Sequence, residues 1–267
     1  MSGGGKAVPV KEEGRQQKLN FATAENARQR GAEGRRDMAR STSQLQKVRK
    51  AKGKQKRVGP ARIEEVIERL EEAFEKVAAN RGAPGPDRQS IEYVREHIQE
   101  LISELRVSLL DGSYRPGDIR RVWIPKAGGG QRGLGIPNVV DRVVQEAIRL
   151  VLEPVYEPTF HESSHGFRPN RSCQTAIAEA RGYVEKGNEW VVDLDLEKFF
   201  DRVHHQRLMG RLAQRLDDKP LLVLIGRMLK AKVVMPDGVK VSTEEGVPQG
   251  GPLTPRTQKV TSSFLGK

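Results

Sequence analysis

WVVDLDLEKFFDRVHH, residues Trp190 to His205, is the stretch on which the reading of this chain turns. An apolar run ends in closely spaced carboxylates and gives way to an amphipathic segment, which predicts a strand over Trp190–Leu196. Strand side chains alternate, so Asp193 and Asp195 project to one face while Leu194 and Leu196 pack on the other. Two hard oxygen donors side by side suit Mg²⁺, which takes one or two carboxylates and completes its shell with water and substrate phosphates. The residues alone leave a second reading open, because DLD ahead of a helix is also a turn and N-cap arrangement.

Working outward, helical spacing predicts a helix after Gly59-Pro60 through Ile63, Val66, Ile67, Leu70, Phe74 and Val77 to about Asn80. RGAPGPD (Arg81 to Asp87) is a connector, its prolines and glycines stopping the helix. A second helix carries Ile91, Val94, Ile98, Leu101, Ile102, Leu105 and Leu109 on one side and ends near Asp111-Gly112. RRVWIP (Arg120 to Pro125), AGGG (Ala127 to Gly130) and GLGIP (Gly133 to Pro137) read as strand, turn and return strand of a β-hairpin. Further helices are predicted at about 139–152, 172–186 and 205–216. Strands and helices in this order fit an α+β fold better than regular βαβ alternation.

The charge is uneven. Residues 1–60 hold sixteen Lys and Arg against five Asp and Glu, nearly the whole of the chain's +12. Such a segment, poor in large apolar residues, cannot bury enough surface to offset its ordering entropy, so residues 1–59 read as a largely disordered basic arm. Its run KVRKAKGKQKR, which includes Lys47, Arg49 and Lys50, suits phosphate neutralisation, with a solvated tail as the plain alternative. The single cysteine, Cys173, excludes an internal disulfide or a cysteine zinc site and fits a reducing cytoplasm. It lies beside apolar positions of a predicted helix, so burial is expected. His161, His165, His204 and His205 have no companions at metal-ligand spacing and read as structural or exposed. No apolar run reaches a membrane span, and no apolar signal core stands at the N-terminus.

IPK, GLGIP, DR, GFRP, DLDLEKFFD and PQGGPLTP occur in this order across about residues 60–255. The set resembles the successive polymerase blocks of group II intron reverse transcriptases, also called maturases. Retron, diversity-generating and CRISPR-linked polymerases share the first carboxylate block, but GFRP and DLDLEKFFD lean towards group II introns. The resemblance implies a right-hand polymerase with fingers and start of palm at 60–189 and a partial palm at 190–255. Residues 256–267 read as a tail outside the family pattern.

It also implies roles. Asp195 matches the metal-binding catalytic aspartate, with the Leu196 carbonyl as a second ligand to Mg²⁺. Phe200 matches the aromatic residue set against the sugar, where a 2′-hydroxyl would clash; core packing is its plain alternative. Lys126 and Arg132 match cations that meet the triphosphate of the incoming nucleotide, although by residue type alone they are a solvated hairpin tip. Gln249 and Gly250 match the block that contacts the template and the new base pair, although PQGG by composition is an ordinary turn. SSHGFRPNRS (Ser163 to Ser172) matches the block lining the template surface, with Phe167 buried and Arg168 facing a backbone phosphate or a carboxylate.

The partners implied are RNA template, DNA primer, deoxynucleoside triphosphates and group II intron RNA. In the family a second carboxylate set, Tyr or Phe, any residue, then Asp-Asp, follows the PQG block, and no aspartate follows Pro255 here. Asp217-Asp218 precedes that block and reads as a solvated turn. The expectation is therefore a chain cut off before its second carboxylate pair and inactive alone, with an RNA-binding remnant as the alternative function. Gly133 stands where the family has Pro, and RGAPGPDRQS lacks the family's GVDG ending.

Overall fold

The computed structural model describes residues 61–193, Leu196, 199–255 and 259–260, all within one compact unit running from Arg57. Helix α1 (Ile63–Glu68) and helix α2 (Leu70–Ala79) form where one helix was predicted. The break falls at Arg69, whose φ −92° and ψ 0° let its amide share the carbonyls of Glu65 and Val66, both at 3.2 Å. Likewise α3 (Ile91–Glu96) and α4 (Ile98–Leu110) are parted at His97. Its ring stacks on Tyr93 at 4.4 Å and its Nδ1 donates to the Tyr93 carbonyl at 2.9 Å, which bends the backbone there.

The next stretch is the hairpin. β1 (Ile119–Pro125) and β2 (Gln131–Ile136) pair antiparallel, with Trp123 opposite Gly133 and Ile124 opposite Arg132. Helix α5 (Val139–Tyr156) then runs through the centre of the molecule. Val139, Val143, Val144, Ala147, Ile148, Val151 and Leu152 are all buried, and α1, α2 and α3 pack on it. A helix surrounded on most sides also has to bury polar groups, and among these Asp141 is bonded on both oxygens. The Tyr114 hydroxyl donates to Asp141 Oδ1 at 2.5 Å, and the Gly117 amide donates to Asp141 Oδ2 at 3.1 Å. Burial pushes the Asp141 carboxyl up, and these two bonds oppose that rise.

After α5 come α6 (Cys173–Glu185), α7 (His205–Leu212), α8 (Lys219–Leu229) and two short strands, β3 (Val233–Val234) and β4 (Lys240–Val241). The sheet order is β2-β1-β3-β4, with β1 and β3 parallel and the outer pairs antiparallel, which makes the fold α+β. Helix α8 was missed in the sequence. Asp218, read as part of a solvated turn, is its N-cap, accepting from the Leu221 amide at 2.7 Å. The strand expected at Trp190–Leu196 does not form over Trp190–Asp193, which has no ladder partner among the described residues. Among the described residues no helix is long and apolar enough to cross a membrane.

Candidate nucleotide and template site

The segment that follows the carboxylate motif turns tightly over Phe199–Arg202, with the Phe199 amide donating to the Leu196 carbonyl at 3.3 Å. Phe199 and Phe200 are half-buried against the core, their rings edge to face at 6.2 Å. The stretch then serves as a docking rail for a distant loop. The Val247 amide donates to the Phe200 carbonyl at 2.7 Å and the Gly246 amide to the Val203 carbonyl at 2.8 Å. Buried His205 completes the contact by donating from Nε2 to the Gly246 carbonyl at 2.6 Å. Gly246 is required, since at φ +86° a Cβ would stand 3.0 Å from the Asp201 carbonyl oxygen.

On its other side the same loop grips the hairpin. The Gly135 amide donates to the Gln249 carbonyl at 2.7 Å, and Arg132 Nε donates to Gln249 Oε1 at 2.7 Å. Gly250 has φ +131°, and a Cβ there would meet the Gly135 carbonyl oxygen at 2.5 Å. Gly251 lies against buried Gln145 of α5, and Thr254 Oγ1 donates to the Pro248 carbonyl at 2.7 Å, closing the loop on itself. Arg132, Phe200, Gln249 and Gly250, dispersed over more than a hundred residues, are thus joined through one loop. Lys126 is exposed at the hairpin tip, where its amide and carbonyl bond Gly130 and Gly129 at 3.1 Å. Gly135 and Thr254 hold this assembly and were not singled out in the sequence, whereas His205, read there as structural or exposed, is structural.

Arg168 borders a cleft of about 440 Å³ lined also by Phe167, Arg171, Pro252 and Pro255. Its guanidinium meets a carboxylate, Glu157, at 2.6 Å, and donates to the His161 and Ser164 carbonyls at 2.6 and 3.0 Å. Phe167 was expected to be buried and is 71% exposed. Its backbone is left-handed, φ +53°, which turns the ring outward while Arg168 occupies the inner position. Cys173 is likewise exposed, not buried, because α6 has no buried residue. His165 is structural, its Nε2 2.7 Å from Glu179 and its Nδ1 2.8 Å from Thr175.

Asp195, Lys47, Arg49 and Lys50 lie outside the described residues. Leu196 is half-exposed and Asp193 is exposed. Among the described residues no three His, Cys, Asp or Glu cluster in a way that could hold a metal ion. The donor types around position 195, carboxylate and carbonyl oxygen, are those a hard divalent cation takes.

Residues 124–264 match the family model described as reverse transcriptase (RNA-dependent DNA polymerase). Protein YkfC of Escherichia coli is 38% identical over 192 residues, 70% of this chain and 50% of that protein. The group II intron-encoded protein LtrA of Lactococcus lactis is 36% identical over 187 residues, 68% of this chain and 30% of that protein. A chain of the partial Cas6-RT-Cas1–Cas2 complex is 25% identical with a TM-score of 0.45, covering 71% of this chain and 32% of that one. The chain therefore spans half or less of the length of these relatives.

Proposed function

The chain belongs to the reverse transcriptase family, and from that membership we propose that it carries the fingers and the first part of the palm of an RNA-directed DNA polymerase of the group II intron kind. Residues 60–189 are then fingers and start of palm, and 190–255 the palm portion. The observation that carries this reading is the Gly246–Gly251 loop, bonded on one side to Phe200 and Val203 and on the other to Arg132 and Gly135. That loop brings Phe200, Arg132 and Gln249 into one neighbourhood, which supports the roles this reading gives them.

In this reading Asp195 and the Leu196 carbonyl hold a divalent ion, and Mg²⁺ is the ion the oxygen donors favour. When bound, the ion stabilises charge on the phosphates of the incoming nucleotide. Arg132, with one N–H spent on Gln249, keeps its other donors for the triphosphate, and exposed Lys126 adds a second cation. Phe200 blocks a 2′-hydroxyl, and Gln249 with Gly250 supports the nascent base pair. Arg168 lines the template path, and Lys47, Arg49 and Lys50 neutralise phosphates of template or intron RNA. A maturase role with that intron RNA, and a cytoplasmic setting for the single cysteine, follow the same reading.

The test is primer extension on an RNA template with Mg²⁺ and deoxynucleotides. The chain is supplied together with the polypeptide that follows the matched region of the Lactococcus lactis relative. Template-dependent synthesis is expected, with Asp195→Ala reducing it by about a thousandfold or more, in line with losing a group that stabilises developing charge. Synthesis indifferent to Asp195→Ala, or none under any supply of the second polypeptide, sinks the proposal.

A further inference from the structure

The hairpin has a second face that the nucleotide site does not use. Strand side chains alternate, so Arg121 and Trp123 of β1 stand on one face, while Ile124 and its cross-strand partner Arg132 stand on the other. On the first face Trp123 lies opposite Gly133 and is 45% exposed. The Arg121 guanidinium is 5.7 Å from the centre of the indole ring. A Cβ at position 133 would stand 2.7 Å from Arg121 Nη1 and 3.0 Å from Trp123 Cζ3, so the cation and the ring both reach into the space a side chain would fill. Group II intron reverse transcriptases have Pro at this position, and the opening over Gly133 is a departure of this chain from that pattern.

Charge and ring chemistry select the ligand. Residues 119–136 include Arg120, Arg121, Lys126 and Arg132 and no Asp or Glu. Such a ribbon attracts a polyanion, and an exposed indole beside a guanidinium takes a flat π-face, so the ligand that answers both is an unpaired nucleobase on its phosphate chain. The buried Arg121 Nε meets no acceptor among the described residues, which leaves the ring and the gap at Gly133 to place the guanidinium. An apolar protein surface would cover Trp123 but would desolvate the arginine beside it without a partner.

We infer that Arg121 and Trp123, laid across Gly133, stack an unpaired base of single-stranded RNA on the hairpin face opposite the one given to the incoming nucleotide. The inference goes beyond the functional reading above, since it needs neither Asp195 nor synthesis.

The experiment uses the full chain with Trp190→Phe, an exposed position, which leaves Trp123 as the reporter of the two tryptophans. The probes are oligoadenylate and inorganic polyphosphate, the second carrying charge without bases. Oligoadenylate should quench Trp123 emission and polyphosphate should not. In filter binding Trp123→Leu should weaken oligoadenylate about tenfold or more, with the slope against salt unchanged, and Trp123→Phe should restore affinity to within about threefold. Gly133→Ala, which presses on both side chains from the facing strand, should reduce the quenching even if the Leu variant folds poorly. Absence of quenching, equal quenching by polyphosphate, or quenching untouched by Gly133→Ala overturns the inference, as does a folded Trp123→Leu chain that binds oligoadenylate like its parent. Self-association abolished by Trp123→Leu overturns it in favour of a protein occupant. Failure of primer extension leaves the stacking result standing, and failure of quenching leaves the polymerase reading standing.

Discussion

Gly250 shows how much of the site depends on single atoms. Its φ of +131° excludes ordinary side chains, and a methyl group would press on the Gly135 carbonyl oxygen at 2.5 Å. Gly250→Ala should destabilise the fold by about 2 kcal/mol, measured by urea melts, and should weaken deoxynucleotide use more than RNA binding. Phe200→Ala should leave deoxynucleotide incorporation within an order of magnitude and raise the relative kcat/KM for ribonucleotides about tenfold or more, read from single-nucleotide extension. Motif order singled out Arg132, Gln249 and Gly250 as site residues, but not that Arg132 bonds Gln249. The partners of His205, read as structural or exposed, and of Gly135 were not legible, because they lie about forty and more than a hundred residues away. Phe167 was misjudged because residue type says nothing of the left-handed backbone that turns its ring outward.

Helix α6 is the element whose attachment is most easily undone. Its Glu179 carboxyl is held down at about 2, first by Ser163 and then by His165 and Tyr183. The folded state then binds fewer protons than the unfolded one between that value and the ordinary 4.5. The contribution is complete above pH 4.5 and is lost as pH falls towards 2. Hydrogen exchange across 173–185 should therefore quicken in that window while α5 stays protected, and Glu179→Gln should remove the pH dependence. Helices were readable from periodicity, except for α8 and for the breaks at Arg69 and His97, which local hydrogen bonding sets. The strand at Trp190 was not realised in the described residues because a strand exists only against a neighbour, and an apolar run does not state where its neighbour is.

At the scale of the whole molecule the charge distribution makes its own prediction. Lys47 to Arg57 holds seven cations, and if all sit on phosphates of single-stranded RNA the logarithm of affinity falls by about 5 per decade of salt. Replacing the seven by Gln should flatten that slope in filter-binding titrations without touching the melting transition. Class and order of elements were open to reading from 61 onward, whereas the pairing of β1 with β3, more than a hundred residues apart, was not. The loop at 246–251 is a crossbeam nailed to two walls, the hairpin and the rail at Phe200–His205. In the proposed reading, a hairpin drawn inward over a nucleotide would drag this beam, and with it Phe200. Closure and sugar discrimination would then be one mechanical event, and a change that loosens either nail would blur both.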